Sequence, residues 1–454
     1  MTAGFDILAR PHSREEAQAW IGTEFGNEGN YYLKQLWDVP PDRLAVVKLG
    51  GEIVARDLPH LAGSIAVLSA LRLYPVIVHG GGPQINAALE AEGIPENKID
   101  GKRVTDERSL PIVHRALSGV NRAITNALSD LGVDNVGYSE RIFTAEVTDE
   151  RLGYVGDVTD VNIRAIQQTV GEAKVPVLSC FGGDIYGRPL NINGDSAATA
   201  LAKVLQPHRY LSVTDVRGVL RDDEVIPFLD ASNGQIEELI ANKVITKGMI
   251  PKTREARDLA RMLPDGSSVV ILSARGILAE FFTNAGSGTM VAPGQKVYFH
   301  SSINAASQEV MRTHIDKGYK TQGHQARLVD NYFEKLPKDA EYFDVPRMGF
   351  AIVLPGENGD PAYIDKLVVT EEGRGKGVTE LLIKNIGKHH KEGIYWRTGR
   401  DKDRLHRHYF NFATSIEKSG DWVVFLRDVD PVARQRIIES AVQRERTIAY
   451  DTES

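Results

Sequence analysis

The sequence predicts an α/β protein, a largely parallel sheet sandwiched by helices, followed by a smaller α+β domain. Three observations carry this expectation. Between residues 45 and 295, short β-branched runs alternate with amphipathic stretches, the pattern of parallel strands joined by helical crossovers. Two of these runs break off in glycine, Ala45-Val-Val-Lys-Leu-Gly-Gly51 and Val76-Ile-Val-His-Gly-Gly-Gly82, as strands do where the carboxyl edge of a sheet meets a ligand. Beyond residue 300 basic and aromatic residues rise, and an apolar run at 362–369 feeds a basic, glycine-rich loop and then a helix.

At 454 residues the chain is long enough for two or three domains, and 42% hydrophobic with 25% charged residues suits large buried cores. Lys plus Arg total 54 against 61 Asp plus Glu, and the net charge of −7 points away from nucleic acid. The single cysteine, Cys180, excludes an internal disulfide or a thiolate metal cluster and fits a reducing compartment. Its setting, Pro-Val-Leu-Ser-Cys-Phe-Gly-Gly, reads as a buried strand. No apolar run approaches the ~18 residues of a membrane span. Residues 1–20, with Asp6, Glu15 and Glu16, lack the basic-then-apolar order of a targeting signal. A cytoplasmic protein without membrane or nucleic-acid partners is expected.

Three segments follow from the pattern: a helical arm at 1–44, the α/β domain at 45–295 and the α+β domain at 296–454. In the arm, Ser13-Arg-Glu-Glu16 has the form of a capping box, and Tyr31, Tyr32, Leu36 and Trp37 sit at helical spacing before Pro40-Pro41. Its aromatic face can dock on a partner subunit or on the chain's own core. In the second segment, strands are expected at 44–49, 75–79, 141–147, 175–181, 209–213 and 268–273, with helices at 57–73, 108–131 and 196–205. Turn punctuation at 290–295 marks the boundary. In the third segment, strands at 348–354, 362–369 and 422–426 surround a helix starting near 376.

Lys48 precedes its glycines, so this is not a P-loop, and Gly80-Gly81-Gly82 does not fit G-x-G-x-x-G. Further along stand Arg103-Val-Thr105, Asn191-Ile-Asn-Gly-Asp195 and Lys247-Gly-Met-Ile-Pro-Lys252. Each has an ordinary reading: Arg103 on the surface, Asn191 in a turn, Asp195 as the N-cap of a helix opening at Ser196. In this order the clusters resemble the amino-acid kinase family, most closely its N-acetylglutamate kinases, over residues 44–292. The resemblance implies phosphoryl transfer from ATP, with Mg²⁺ riding on the phosphates, to a carboxylate. Such chemistry asks for positioning and charge neutralisation. By resemblance, Lys48 and Lys252 flank the moving phosphoryl group, Asp195 orients both ammonium groups, and the Gly50, Gly51 and Gly81 amides take phosphate oxygens. Gly81, Gly82, Arg103 and Asn191 hold N-acetylglutamate, and Thr214, Asp215 and Gly218 belong to the nucleotide loop. The stretch 277–291 resembles the segment by which arginine-sensitive members bind L-arginine, which implies feedback through Glu280, Gly286 and Gly288.

In the third segment the backbone N–H groups of Arg374, Gly375, Lys376, Gly377 and Val378 gather at a helix start, where the macrodipole also favours an anion. This loop resembles the acyl-CoA loop of the GNAT acetyltransferases, with Glu372 where the pattern has Gln or Arg. The flanking Tyr363-Ile-Asp-Lys366 and Tyr395-Trp-Arg397 resemble the acetyltransferase domain of vertebrate-type N-acetylglutamate synthases. The resemblance implies acetyl-CoA in the loop, with strand amides at Leu367 and Val369 polarising the thioester. It also implies L-glutamate held by Lys366, Arg397 and, displaced by one residue, Arg400, while Asp403 stands where the pattern has asparagine. Tyr409 is either the acid that protonates the thiolate or a core tyrosine. His406 and His408 alternate along a possible strand. Together the two resemblances imply a bifunctional, homo-oligomeric enzyme of arginine biosynthesis, a tetramer by family likeness. A synthase alone, with the kinase fold as an arginine-binding platform, is the alternative; intact Lys48 and Lys252 favour the active kinase.

Overall fold

Runs such as Val46-Val47 and Ile77-Val78 are apolar on both strand faces, so they form a sheet only if helices cover both sides. The computed structural model shows that arrangement. It describes residues 13–450 except 233, 247, 265–266, 284–285, 294–296, 304–307, 309–310, 313–314, 316–325, 329–330, 346–347, 358, 371–372, 375–376, 403–405 and 407–408. The chain divides into two compact units, Met1–Gly294 and Gln295–Ser454.

The main sheet of the first unit has eight strands in the order Phe228–Asp230, Thr289–Ala292, Ser268–Leu272, Arg209–Val213, Ala45–Leu49, Val76–His79, Val175–Ser179 and Asn135–Tyr138. Thr289–Ala292 runs antiparallel to Ser268–Leu272, and the other pairings are parallel. Val47, Leu49, Ile77, Leu211 and Val213 pack on one face, under helices Leu58–Ala70 and Leu110–Asp130; Val46, Val78, Tyr210 and Ile271 pack on the other, under Gly194–Leu205 and Met249–Ala260. Lys48, between Val47 and Leu49, shares the second face. From Ala45–Leu49 the chain builds the sheet first toward Val76–His79 and later toward Arg209–Val213, so the strand order reverses beside Lys48.

Two expectations change here. The strand Phe143–Glu146 forms, but in a separate closed barrel with Val155–Val161, Phe181–Gly183 and Pro189–Ile192. Of the stretch 290–295, Met290 to Ala292 is strand, because its apolar residues complete the sheet beside Ser268–Leu272. Ser13 caps the first arm helix by accepting from the Glu16 amide at 3.1 Å.

The arm docks on its own unit. Helices Arg14–Glu24 and Gly26–Trp37 place Ala17, Ile21, Leu33 and Leu36 in the core, and Trp37 Nε1 donates to the Leu71 carbonyl at 2.9 Å. Ile21→Ala is therefore expected to destabilise the protein by about 2–4 kcal/mol in denaturant unfolding, as a buried isoleucine does. A loss below about 0.5 kcal/mol, normal for a surface position, would mean the arm is not part of the core.

The second unit is built on a seven-stranded sheet in the order Tyr298–His300, Glu341–Val345, Gly349–Leu354, Ala362–Val369, Ile394–Gly399, Trp422–Arg427 and Ser415–Ser419. Its neighbours are antiparallel except Ala362–Val369 and Ile394–Gly399, which run parallel and pair only at Ala362 with Ile394 and Tyr363 with Tyr395. Beyond those pairs the two strands diverge, and among the described residues Ile364 to Val369 has no partner strand on that side. Helix Val378–His389 covers one face through Leu382, Ile383 and Ile386, and helix Arg434–Gln443 lies on the other through Ile437 and Ile438. Among the described residues no helix is long and apolar enough to cross a membrane.

Candidate functional sites

The first site lies where the strand order reverses, outside the carboxyl ends of three parallel strands, the position at which open α/β sheets take ligands. Register aligns them: Leu49 opposes both His79 and Val213, and the Gly80 amide donates to the Leu49 carbonyl at 3.2 Å. The glycines allow the two loops to meet back to back. A Cβ on Gly51 would come 2.7 Å from Pro83 Cδ and 3.1 Å from the Gly82 nitrogen. His79 stabilises the turn, with Nδ1 3.0 Å from the Gly80 carbonyl and Nε2 3.1 Å from Asn121 Nδ2. Burial drives its imidazole down to about 4, so it is neutral here.

Lys48 forms an ion pair with Asp195. Asp195 is available because the cap falls elsewhere than the sequence reading placed it: the helix opens at Gly194, and Asn193 Oδ1 accepts from the Asp195 and Ser196 amides at 2.9 and 3.1 Å. Lys252 Nζ donates to Thr214 Oγ1 at 2.9 Å, which in turn donates to Asp215 Oδ1 at 2.9 Å. Burial opposes the Lys48 charge, but Asp195, aided by Glu255, outweighs it and holds the ammonium above its ordinary range. Burial, and then the like charge of Lys48, pull Lys252 below its own. Two cations in mutual repulsion, one of them tied to a carboxylate, make a receptor for a polyanion.

Glu255 was not singled out from sequence, although its spacing of three from Lys252 puts both on one helix face. Its carboxylate accepts from Thr199 Oγ1 at 3.2 Å, and burial, followed by the Asp195 charge, pushes it up to about 7. As pH rises through 7, Glu255 ionises and adds a negative charge beside the two lysines that face an anionic ligand. The KM of this site for its anionic substrates is expected to climb between pH 6 and 8 in the native protein and to stay level in Glu255→Gln; parallel profiles would exclude the role.

Arg103 Nη2 pairs with Glu96 Oε1 at 3.0 Å and with Asn86 Oδ1, while Nη1 is buried with no partner. Asn191, in the barrel, donates from Nδ2 to Thr105 Oγ1 at 3.0 Å, so Arg103 and Asn191 belong to one neighbourhood. Gly218, at φ +154°, lets Thr289 Oγ1 approach, and that hydroxyl accepts from the Val219 amide at 2.8 Å. Lys247 lies outside the described residues. Cys180 is buried and its thiol is pushed up to about 12, which keeps it protonated.

Glu280, Gly286 and Gly288 come together. Gly286 has φ +60°, and a Cβ there would lie 2.5 Å from Glu280 Oε2; that oxygen accepts from the Ser287 amide at 3.2 Å. Glu280 is buried, which raises its carboxyl, and the buried Arg209 guanidinium partly offsets the rise. The arm reaches this place through Phe25, 5.9 Å from the Phe282 ring.

In the second unit a β-bulge shapes the site. Between Ile364 and Lys366 the register with Gly349–Leu354 shifts, leaving Asp365 as the extra residue. Ile364 therefore packs under helix Val378–His389 while Val368, four residues on, packs on the opposite face. The same switch turns Lys366 onto the face of Tyr363, Arg397 and Arg444. Lys366 Nζ donates to Asp365 Oδ2 at 2.7 Å and to Thr447 Oγ1, above the Tyr332 ring at 4.7 Å. Burial lowers its ammonium despite Asp365.

Arg397 gives Nη1 to the Ala441 and Val442 carbonyls at 2.6 and 3.1 Å and Nη2 to those of Arg444 and Glu445 at 2.6 and 2.8 Å. It thus also closes the carboxyl end of helix Arg434–Gln443. Arg400 lies past the strand end, with Nη1 3.3 Å from the Gly420 carbonyl. The cation beside Arg397 is Arg444, which the sequence reading missed: it covers the Tyr363 ring at 4.2 Å, donates to Tyr395 Oη at 3.1 Å and keeps Nε buried without a partner.

Tyr409 approaches from the other face, its ring 5.7 Å from Trp396 and 5.5 Å from Phe425, and burial pushes its hydroxyl up to about 12. His406 and Tyr409 are helical, which corrects the expected strand; His406 Nε2 lies 3.0 Å from the Gly399 carbonyl. His408 lies outside the described residues. Leu367 and Val369 sit on the diverging strand. Gly377, at φ +69°, opens the helix at Val378, and the Arg374 amide donates to the Thr370 carbonyl at 3.1 Å; Gly375 and Lys376 lie outside the described residues.

Residues 43–273 match the model of the amino acid kinase family, and residues 298–444 match that of the N-acetyltransferase of N-acetylglutamate synthase. An acetylglutamate kinase from Xylella fastidiosa is 29% identical over 400 residues, 88% of this chain and 93% of its own. One from Ruegeria pomeroyi is 36% identical over 290 residues, 62% of this chain and 98% of its own. The solved N-acetylglutamate synthase from Neisseria gonorrhoeae, complexed with coenzyme A and L-arginine, covers 90% of this chain and 99% of its own at TM-score 0.59 and 18% identity, a likeness of fold. With half of its residues inside one family model and the 36% identical Ruegeria pomeroyi kinase covered over 98% of its length, the chain belongs to the amino acid kinase family, here joined to an acetyltransferase domain of the N-acetylglutamate synthase type.

Proposed function

We propose that the chain makes N-acetylglutamate from acetyl-CoA and L-glutamate in its second unit and phosphorylates N-acetylglutamate with ATP in its first. The observation that carries the kinase half is the paired arrangement of Lys48 on Asp195 and Lys252 on Thr214 at the point of strand reversal. The substrate carboxylate oxygen attacks the γ-phosphorus, the bond to the β-phosphate oxygen breaks, and the two ammonium groups stabilise the charge on the moving group. Mg²⁺ arrives on the ATP phosphates, since Asp195 is committed to Lys48. Arg103, through its free Nη1, and Asn191 hold the substrate's other carboxylate. Gly50, Gly51, Gly81 and Gly82 amides line the phosphate path, with Thr214, Asp215 and Gly218 at the nucleotide.

For acetyl transfer, the Leu367 and Val369 amides of the diverging strand polarise the thioester, and Lys366, Arg397 and Arg444 form a cationic face for a dicarboxylate. The glutamate amine attacks the thioester carbon and gives up a proton to water, the carbon–sulfur bond breaks, and Tyr409 protonates the departing thiolate. The loop from Arg374 to Val378 takes the pyrophosphate of acetyl-CoA. L-Arginine acts as an effector through Glu280, Gly286 and Gly288, in a cytoplasmic homotetramer.

Purified full-length protein should release ADP only with N-acetylglutamate and release CoA only with L-glutamate, and arginine should alter at least one rate. Absence of either release removes that half of the reading, and saturating arginine without effect on both removes the feedback.

A further inference from the structure

The second unit holds a cluster that neither reaction uses. Glu341 opens the strand Glu341–Val345, His389 ends the helix Val378–His389, and His390 is its C-cap. Glu341 Oε2 lies 2.7 Å from His390 Nε2, and Oε1 lies 3.6 Å from His389 Nε2. One donor atom from each residue falls within 4.8 Å of the others. A simple ion pair needs one imidazole for a carboxylate, whereas here two Nε2 atoms converge on the two oxygens of one carboxylate. The side chains of Glu341 and His390 are each 12% exposed and that of His389 is 41% exposed, so the cluster has a closed floor and an open mouth. Aromatic rings pack beside the imidazoles: Phe299 stands 4.1 Å from His389, and Phe343 stands 5.7 and 6.5 Å from His389 and His390. The helix carboxyl terminus adds its negative end, which favours a cation.

We propose that Glu341, His389 and His390 bind a divalent transition-metal ion of the zinc type, with an open coordination position toward solvent. Two imidazoles and a carboxylate select zinc, cobalt or nickel over magnesium and calcium, which take oxygen donors. A small rotation of the exposed His389 closes the donors to the ~2.0–2.1 Å metal–nitrogen distance. The ion would fasten the carboxyl end of the helix whose amino end begins at Gly377 beside the anion loop.

The test uses the full-length protein, stripped with chelator and titrated with Zn²⁺ by calorimetry and with Co²⁺ by visible absorption. One equivalent of Zn²⁺ is expected to bind, with tetrahedral Co²⁺ bands and a raised Tm. His389→Gln and Glu341→Gln should each weaken binding by at least about tenfold, while His300→Gln, outside the cluster, should leave it unchanged. Retained CoA release by each variant shows that it is folded; His389 is exposed enough for its variant to serve alone if Glu341→Gln misfolds. Failure of the native protein to bind Zn²⁺, or equal binding by native protein and His389→Gln, overturns the site.

Discussion

Lys48→Ala is expected to slow acetylglutamate-dependent ADP release by about 10²–10³-fold, the usual loss when one preorganised donor to a developing anion is removed. CoA release from acetyl-CoA and glutamate should be unchanged. The loss should fall on kcat more than on KM, because Lys48 is already tied to Asp195 in the resting site and gains its main partner as the phosphoryl group moves. Asp195→Ala should cost less when combined with Lys48→Ala than alone, since the two act as one pair. Lys252→Ala should fall in the same range, and Lys252→Arg should not restore the rate, because a planar guanidinium cannot keep both the Thr214 contact and the phosphoryl position. Kinase activity within threefold of native in Lys48→Ala would end the proposed role.

Lys366→Met should reduce kcat/KM for glutamate by about 10–100-fold, the equivalent of one charged hydrogen bond to a carboxylate. The kinase reaction should remain. The variant also leaves Asp365 buried beside Tyr332 without its cation, so some loss of stability is expected. Acetyl-CoA affinity separates the two effects: it should be retained if Lys366 acts on the acceptor, and a variant that binds acetyl-CoA normally and turns glutamate over at the native rate would refute the assignment.

Much of the first unit could be read because burial on both faces writes parallel strands as unbroken apolar runs. Ala45–Leu49, Val76–His79 and Arg209–Val213 lie inside the ranges expected, as do helices Leu58–Ala70 and Leu110–Asp130. The edge strand Asn135–Tyr138, half of it polar, gave no such signal, and Phe143–Glu146 could be seen as a strand but not assigned to a sheet. The helix cap expected at Asp195 falls at Asn193, whose side chain takes the Asp195 and Ser196 amides. Asp195, in the first turn inside that cap, is left to pair with Lys48 on the sheet face its helix covers. In the second unit the bulge at Asp365 was hidden, since an alternation of two assigns Lys366 to the face opposite Tyr363 and only the register shift returns it. Arg444 lies 47 residues beyond Arg397, the number that separates Nη2 of one from the carbonyl of the other, and no local pattern joins them.

The divergence of Ala362–Val369 from Ile394–Gly399 has one further consequence. The sheet of the second unit is two leaves sewn together at Ala362 and Tyr363, and among the described residues the rest of the seam carries no strand pairing. An extended, amide-bearing ligand lying there would take the place of a missing strand. Acetyl-CoA would then be a structural member as well as a reactant, and loading it should tighten the leaves as adding a strand closes an open edge.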